Sequence, residues 1–446
     1  MAMPPLSHQQ PPPLDSSEQD SLFHVLHSIN PQIPWHSLFP TLDLCVSPPH
    51  GVVCDFPSPS NQTAHIVELS FGYVSDFSPN PPCSPNATLN PLLFTSFTHL
   101  RKLFFYKCFN ASRVSLPDVV VSPSFASTLE ELVFIDNPSL VGSFSGMLGN
   151  FTSLRRLVLT GNGVYGEVPH VIGDLVNLEE MTLSRNQLAG QIPSSLGTLV
   201  KLKVLDLSHN GFEGRVPECL GNNLTELLKL DLSFNRFVGE IPESFRNLQS
   251  LEFLDLSFNH FGDFGVPLFL GEIPRLREIY LSGNILGGKI PEIWGNLGGV
   301  LRIGFSEMGL IGNIPKSMGF YLRNLSYLGL DNNNLEGPLP EEFVLLKDVD
   351  EINLENNNLS GRVPFSNRIV GEKLKLGGNR GLCVDHKDML RHTKNKSCSG
   401  QLKLCNKPDI PIPIPNAVLF NGVSLVLFDL HMLFVSLGIL FVFAGL

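Results

Sequence analysis

Leucine and other apolar residues recur at regular intervals through most of this chain, separated by polar positions. The clearest stretch runs from Leu154 to Pro364 and repeats the frame L-x-x-L-x-L-x-x-N-x-L-x-G-x-[IV]-P, as in KLKVLDLSHNGFEGRVP from Lys201. The frame returns about every 24 residues, which predicts stacked copies of one structural unit. Its asparagine position falls at Asn137, Asn162, Asn186, Asn210, Asn235, Asn259, Asn284, Met308, Asn333, Asn357 and Asn379.

Each unit predicts one short strand, because x-L-x-L-x alternates with the period of a β-strand. The leucines would point inward, and strands stacked about 4.8 Å apart would form one parallel sheet. The asparagine would turn inward after the strand, where its carboxamide can satisfy backbone groups of the turn in its own and the next unit. A period in this range is the signature of a leucine-rich repeat. The predicted fold is an α/β solenoid, a leucine-rich-repeat superhelix with a parallel concave sheet and disulfide-stapled caps.

The sequence outside the repeats divides into segments of distinct composition. Proline-rich and polar residues open the chain, and an almost wholly apolar run closes it. The predicted segments are a disordered Pro-rich N-terminus (1–17), an N-terminal cap with the first strand (18–99), plant-type repeats (100–382), a C-terminal cap (383–405), a Pro-rich linker (406–416) and a hydrophobic membrane-attachment segment (417–446). Because a solenoid core grows by stacking units, one array can accommodate most of this length.

Two repeats depart from the frame. After Asn259, Asp263 takes the usual glycine position and Pro267 arrives one residue late. In the next repeat but one, Met308 replaces the asparagine. We expect both departures to bend the array or to loosen one of its turns.

Eight cysteines are present, and seven of them lie outside the regular repeats. That placement indicates disulfide-bonded caps formed in an oxidising compartment. Cys45 and Cys54 follow a helical pattern and are predicted to pair. Cys108 stands where the frame has asparagine, and it is either a buried thiol or the partner of Cys83.

At the other end of the array, Cys383 would pair with Cys398 or Cys405, and Cys405 is assigned to the predicted bond. Cys219 lies in an interior helix-like segment, beyond reach of either cap, and is predicted to be a free buried thiol. The sequence holds no C-x₂-C pair and no close cluster of cysteine and histidine. It therefore predicts no metal site and no cofactor.

The concave face of a solenoid is the usual place for a partner to bind. The most distinctive positions lie just before the asparagine and in the middle of the strand, where exposed aromatics flanked by acids could dock a peptide or a partner domain. The predicted contact residues are Arg185, His209, Phe234 and Phe258 in one column and Asp206, Asp231, Asp255 and Tyr280 beside it. The alternative is that these residues are ordinary repeat sequence.

Sequence motifs for N-glycosylation suit an exported protein. The candidate acceptors are Asn61, Asn86, Asn110, Asn150, Asn223, Asn324, Asn358 and Asn395. Three of them, Asn150, Asn223 and Asn324, share one phase just before a strand. That phase predicts a flank or convex position, where glycan would leave the concave face open.

Charge and motifs exclude several functions. The net charge of −11 and the lack of a concentrated basic stripe argue against nucleic acid as a partner. No P-loop, kinase motif set or H-E-x-x-H is present, so the sequence predicts a binding protein and not an enzyme.

The two ends of the chain bear on its location. The first 20 residues lack the basic start and apolar run of a secretory signal, so either this sequence lacks an export signal or the protein stays inside the cell as a scaffold. We favour the first explanation. Residues 417–446 are long enough to span a membrane if Asp429 and His431 are included, and they equally fit the signal for a lipid anchor.

The L-x-G-x-[IV]-P extension resembles the plant-specific class of leucine-rich repeats. Together with EQDSLFHVLHSIN before Trp35, PHGVVCD around Cys54 and the closing GNRGLC, it resembles plant leucine-rich-repeat receptor-like proteins of the TOO MANY MOUTHS and Piriformospora indica-insensitive type. That resemblance covers about residues 18–405.

The resemblance implies a non-catalytic receptor-like protein on the extracellular face of the plasma membrane. Such a protein would bind an extracellular peptide or protein ligand, and would signal through a receptor-like kinase in development or microbial interaction. The alternative is a soluble cell-wall defence protein similar to polygalacturonase inhibitors. The apolar C-terminal segment favours the membrane-attached form.

Overall fold

The computed structural model describes residues 12–40, 43–55, 63–72, 81–116, 122–144, 151–364, 373–384 and 403–405. The predicted linker and hydrophobic segment lie outside these residues. Ordered structure begins before the predicted cap boundary, because Leu14 bridges to Ala64 and Asp15 caps the first helix, Ser16–Ile29. Within the described residues, no helix is both long enough and apolar enough to cross a bilayer.

A 14-stranded sheet, here called the concave sheet, is the main element of the fold. Its first two strands are antiparallel, and each later neighbouring pair is parallel. The strands are Val52–Asp55, His65–Gly72, Lys102–Tyr106, Glu131–Ile135, Arg156–Thr160, Glu180–Thr182, Val204–Asp206, Lys229–Asp231, Phe253–Asp255, Glu278–Tyr280, Arg302–Gly304, Tyr327–Gly329, Glu351–Asn353 and Leu374–Lys375. This order confirms the predicted leucine-rich-repeat solenoid with one strand in each unit.

Short strands that follow the asparagine position form a second layer, here called the second sheet, in two separate parts. One part holds Val114–Ser115, Leu140–Ser143, Gly163–Gly166, Gln187–Gly190, Gly211–Gly214, Arg236–Gly239 and His260–Phe261. The other holds Ile311–Gly312, Asn334–Gly337, Asn358–Arg362, Gly381–Val384 and Lys403–Leu404. The gap between them coincides with the two irregular repeats, so the predicted irregularity appears in the second sheet while the concave sheet runs on.

Short helices return the chain between strands and stack on one another from unit to unit. The α-helices after the first are Trp35–Leu38, Pro123–Thr128, Cys219–Asn223 and Lys316–Tyr321. The 3₁₀ helices are Pro91–Phe94, His170–Asp174, Ser194–Thr198, Glu243–Asn247, Leu268–Glu272, Trp294–Asn296 and Glu341–Leu345. Between these helices and the concave sheet lies one continuous apolar core of inward-facing leucine, isoleucine, valine and phenylalanine.

The asparagine ladder forms as predicted, except that each side chain reaches back to the preceding unit and not forward to the next. The Nδ2 of Asn235 donates to the carbonyls of Leu207, Leu232 and Ser233 at 3.0–3.1 Å, and its Oδ1 accepts the N–H of Phe212 at 3.1 Å. One side chain thus satisfies backbone groups of its own turn and of the preceding unit, which would otherwise be buried without partners.

Met308 interrupts the ladder. Its side chain is fully buried, and it offers no polar group to the preceding turn. The Met308 carbonyl instead accepts the N–H of Gly287 at 2.9 Å. The carbonyl of Leu281 therefore keeps the contact from Asn284 at 2.9 Å but receives none from position 308, and the N–H of Leu286 lacks the asparagine acceptor that Phe261 has in Asn284.

Disulfide bonds close both ends of the solenoid. The predicted pairs Cys45–Cys54 and Cys383–Cys405 are confirmed. Of the two alternatives for Cys108, the structure selects the bond to Cys83.

Cys219 is free as predicted, but it is half-exposed and not buried. Its thiol lies 3.3 Å from the carbonyl of Ser194, at the start of a short helix. The prediction of burial was wrong because that helix lies on the outer side of the unit, where only its apolar residues face the core.

Candidate partner-binding face

The residue before each ladder position adopts a left-handed backbone conformation. At this point the chain leaves the strand and turns inward, and a positive φ makes that turn within one residue. The non-glycine residues are Lys107, Asp136, Arg185, His209, Phe234, Phe258, Glu307, Asn332 and Asn356, with φ between 52° and 57°. Such values are uncommon outside glycine, asparagine and aspartate, and for a bulky side chain they are strained.

The predicted aromatic column forms a continuous stack on the solvent side. The ring centroids of His209 and Phe234 are 4.1 Å apart, and those of Phe234 and Phe258 are 4.4 Å apart. Phe234 and Phe258 are 41% and 43% exposed. Beyond Phe258 the column continues at Gly283, whose missing side chain leaves space that the Phe258 ring occupies.

Arg185 extends the column in the opposite direction. Its guanidinium lies 3.3 Å from the carboxylate of Asp136, two repeats earlier. Gly161 stands between them and lets the two side chains meet over its backbone. The four predicted residues of this column thus lie side by side on consecutive repeats, as expected.

The predicted acids form a second column, which the strand pairing places in register: Asp206 beside Asp231, Asp231 beside Asp255, and Asp255 beside Tyr280. Each carboxylate accepts a hydrogen bond from the serine two residues later. The bonds are Ser208 to Asp206 at 2.7 Å, Ser233 to Asp231 at 2.7 Å and Ser257 to Asp255 at 2.5 Å.

Asp206 and Asp231 are buried beside the exposed aromatic column. The ammonium of Lys229 lies 2.8 Å from Asp206 and 3.5 Å from Asp231, and this cation compensates both carboxylates. Burial and the nearby Asp206 raise the pKa of Asp231.

Asp255 is in a different situation. Within the described residues, no cation lies within ion-pair distance of the Asp255 carboxylate. This carboxylate accepts hydrogen bonds from the backbone N–H and the hydroxyl of Ser257. Burial raises the pKa of Asp255 from 3.8 to about 6. A half-buried carboxylate beside the exposed ring of Phe258 is thus the least compensated charge of the face.

Tyr280 belongs to a polar network that the sequence did not reveal. Its hydroxyl donates to Glu278 at 2.7 Å and accepts from the guanidinium of Arg302 at 2.8 Å. Arg302 also lies over the ring of Tyr327, 5.0 Å from its centroid. Burial raises the pKa of Tyr280 to about 12, so the phenol stays protonated.

The glycosylation candidates within the described residues are all exposed: Asn86, Asn110, Asn223, Asn324 and Asn358. Asn61, Asn150 and Asn395 lie outside the described residues. The Nδ2 of Asn223 donates to Gly197 and that of Asn324 to Gly298, at 3.0 and 3.1 Å. Both asparagines therefore lie at the helix side of the units, away from the concave face.

Family models for the leucine-rich repeat match residues 152–212, and also 226–248, 275–297 and 324–346. The chain is 34% identical over 164 residues to Piriformospora indica-insensitive protein 2 of Arabidopsis thaliana, covering 36% of this chain and 37% of that protein. It is 34% identical over 141 residues to Protein TOO MANY MOUTHS of the same plant, covering 32% and 27%. The matched part thus spans about a third of these relatives.

Solved structures agree with this assignment. The Arabidopsis receptor kinase HAESA, solved with the peptide hormone IDA and the co-receptor SERK1, superposes with a TM-score of 0.64 at 29% identity, over 83% of this chain and 58% of that one. The plant peptide hormone receptor RGFR1, in complex with RGF2, gives 0.55 at 25%, over 67% and 48%. Repeat sequence and fold show that the chain is a leucine-rich-repeat solenoid, and over about a third of its length it is similar to plant receptor-like proteins.

Proposed function

We propose that this chain is a non-catalytic receptor-like protein of the cell surface that binds a peptide or protein partner on its concave face. It signals through a partner receptor kinase, in development or in microbial interaction. Residues 417–446 attach it to the plasma membrane with the repeats on the extracellular side.

The observation that carries the proposal is the conformation of Phe234 and Phe258. A left-handed conformation costs about 1–2 kcal/mol for a residue with a Cβ, and glycine or asparagine would relieve most of that cost. Gly283 and Asn332 occupy the same position in other repeats. Strained residues cluster at binding sites when the surrounding structure holds them in place.

The surroundings of these rings are those of a binding hot spot. Large aromatic side chains carry a major share of the energy in protein interfaces, and their stacking here fixes them before a partner arrives. Asp255 lies beside them without a cation of its own. The face is thus complementary to a partner segment that presents an apolar group next to a basic one.

The similar solved structures support the proposal of a kinase partner. HAESA, which resembles this chain over most of its described repeats, was solved with a peptide hormone and with the co-receptor SERK1. We infer that this chain uses the same kind of surface to bring a ligand to a kinase. SERK1 is therefore the first partner to test.

The test compares two variants of the full chain, expressed through a secretory route. The double variant Phe234→Asn/Phe258→Asn places asparagine where the backbone favours it, so that folding is kept. Glu307→Asn makes the same change in the same column, two repeats beyond Phe258. Binding to SERK1 and to a panel of receptor-kinase ectodomains is measured by biolayer interferometry.

We expect at least one ectodomain to bind the wild type and Glu307→Asn equally, and the double variant about 100-fold more weakly, since a hot-spot residue contributes about 2 kcal/mol or more. Equal binding of all three proteins would show that the aromatic column is not part of the binding site. Failure of every ectodomain to bind would contradict the kinase partner.

A further inference from the structure

Three side chains from separate parts of the N-terminal cap meet at one point. Glu18 comes from the first helix, His65 from the strand His65–Gly72, and His99 from the turn before the strand Lys102–Tyr106. The Nδ1 of His65 lies 3.1 Å from the Oε1 of Glu18, and the Nδ1 of His99 lies 4.0 Å from the same oxygen. One ligand atom from each residue lies within 4.8 Å of the other two.

The carboxylate of Glu18 is held in place and hidden from water. Glu18 is 2% exposed, and its Oε2 accepts the backbone N–H of Ile66 at 2.8 Å. The other oxygen faces the two imidazoles, whose rings stack with centroids 3.8 Å apart. A buried anion is costly unless a positive group compensates it. A neutral His65 supplies a hydrogen bond to this carboxylate but no charge.

We propose that Glu18, His65 and His99 form a binding site for a divalent transition metal of the zinc class. Two imidazoles and one carboxylate are a donor set that proteins use for zinc. Bonds of about 2.0–2.2 Å in a tetrahedral site place ligand atoms about 3.3–3.6 Å apart. The ligand atoms here are separated by 3.1 Å and 4.0 Å in the two pairs that share Oε1. The Nδ1 of His99 also lies 3.1 Å from the hydroxyl of Thr98, so the His99 ring must rotate away from this contact and from the stack with His65 to complete the site.

The surroundings supply an outer partner and an open side. The Nε2 of His65 lies 3.5 Å from the hydroxyl of Thr63, a contact that orients a ligating imidazole through its second nitrogen. Both histidines also line a cavity of about 310 Å³. A fourth ligand, water or a group of a bound partner, can reach the metal from this cavity.

The competing explanation is purely structural, with Glu18 and His65 joining the first helix to the sheet. The two explanations differ at His99. This residue is half-exposed, and its ring is 4.0 Å from Glu18, beyond hydrogen-bond distance. A structural pair does not need His99, whereas a three-ligand metal site does.

The test titrates the full chain with zinc chloride after dialysis against EDTA, using calorimetry, and follows cobalt binding by visible absorption. We expect one site per chain, a tetrahedral cobalt spectrum, and weaker binding on acidification, because only unprotonated imidazole coordinates the metal. His99→Gln should lower zinc affinity by more than about tenfold, because loss of a residue that only hydrogen-bonds to a metal ligand already costs about tenfold. Its melting temperature without metal should match that of the wild type.

His99→Asp restores an oxygen ligand and should recover part of the affinity. His170→Gln, which changes an exposed histidine far along the repeats, serves as the matched control and should bind as the wild type does. Absence of zinc binding by the wild type, or equal affinity of the wild type and His99→Gln, would overturn the proposal.

Discussion

The ring of Phe258 lies across the backbone of Gly283, so that a Cβ added to this glycine would stand 2.6 Å from the Cδ1 of the ring. Gly283→Ala should therefore displace Phe258 and break the aromatic stack, in addition to straining a φ of 72°. Gly309→Ala is a matched control, because its φ is 71° and nothing lies within 4 Å of the added carbon.

We expect Gly309→Ala to destabilise the chain by about 1 kcal/mol and Gly283→Ala by about 2–3 kcal/mol, since only the latter adds a steric clash to backbone strain. Urea denaturation of both variants measures the difference. Equal midpoints would show that the ring moves aside freely and that the stack is not fixed.

Lys229 compensates two buried carboxylates, and its removal should be costly. We expect Lys229→Met to lower the free energy of unfolding by about 1–3 kcal/mol at pH 7, because Asp206 and Asp231 would face each other without a cation. Lys203→Met also removes a paired lysine, but Lys203 and its partner Glu179 lie in a more exposed pair. That control should lose less than about 1 kcal/mol. A similar loss for both lysines would contradict the compensating role.

Asp255 should make stability depend on pH. Its pKa rises from 3.8 to about 6 in the folded chain, so the folded state binds more protons than the unfolded state between these values. Stability gained from protonation is present below pH 4 and is lost as pH rises through 6. We expect a loss of about 2 kcal/mol across this interval, reduced from the full shift because the group is only half-buried.

Asp255→Asn keeps the acceptor for Ser257 and removes the charge. This variant should be more stable than the wild type at pH 7, with a flatter profile between pH 4 and 6. Asp206→Asn, which removes a carboxylate paired with Lys229, should be less stable than the wild type at pH 7. If the stability of Asp255→Asn depends on pH as that of the wild type does, a group other than Asp255 causes the dependence.

The ladder predicts contrasting effects of leucine at two equivalent positions. Asn259→Leu would leave three carbonyls and the N–H of Phe237 without the contacts that Asn259 makes, and should destabilise the chain by about 3 kcal/mol or more. Met308→Leu replaces one buried apolar side chain by another of similar volume and should cost less than about 1.5 kcal/mol. Guanidinium denaturation compares them, and equal costs would contradict the ladder's role.

Glycosylation of Asn223 can be tested without removing the hydrogen bond that its side chain donates to Gly197. Thr225→Ala removes the acceptor motif but keeps the hydrogen bond from Asn223 to Gly197. We expect the secreted variant to lose one glycan, seen as a mobility shift that endoglycosidase abolishes in the wild type, with unchanged stability. If wild type and variant migrate together before digestion, Asn223 carries no glycan.

Much of the fold was predictable because one repeat frame encodes it. The leucines of KLKVLDLSHN predict a strand, and Asn210 after it predicts a ladder residue that bonds to the backbone of its turn. Burial of Asp206 and Asp231 was missed because it depends on Lys229, which joins the two carboxylates across neighbouring strands. The left-handed position of Phe234 could have been inferred, since glycine and asparagine occupy it in other repeats.

The cluster of Glu18, His65 and His99 was beyond prediction for a different reason. These residues are separated by 47 and 34 positions, and no short motif joins them. Only the packing of the first helix against the edge of the sheet brings them together. Long-range contacts of this kind are absent from the periodic signal that specifies the repeats.

The gap in the second sheet has a consequence for how the solenoid unfolds. Stability of a repeat protein is a sum of unit stabilities and nearest-neighbour interface energies. Between His260–Phe261 and Ile311–Gly312, the second sheet is reduced to the single bridge of Lys289 to Ile311, and Met308 removes one step of the asparagine ladder. The concave sheet and the core therefore carry most of the coupling between these neighbours. The array is therefore two cooperative blocks joined at a weak interface, and the C-terminal block can lose its structure while the block that carries the aromatic column remains folded.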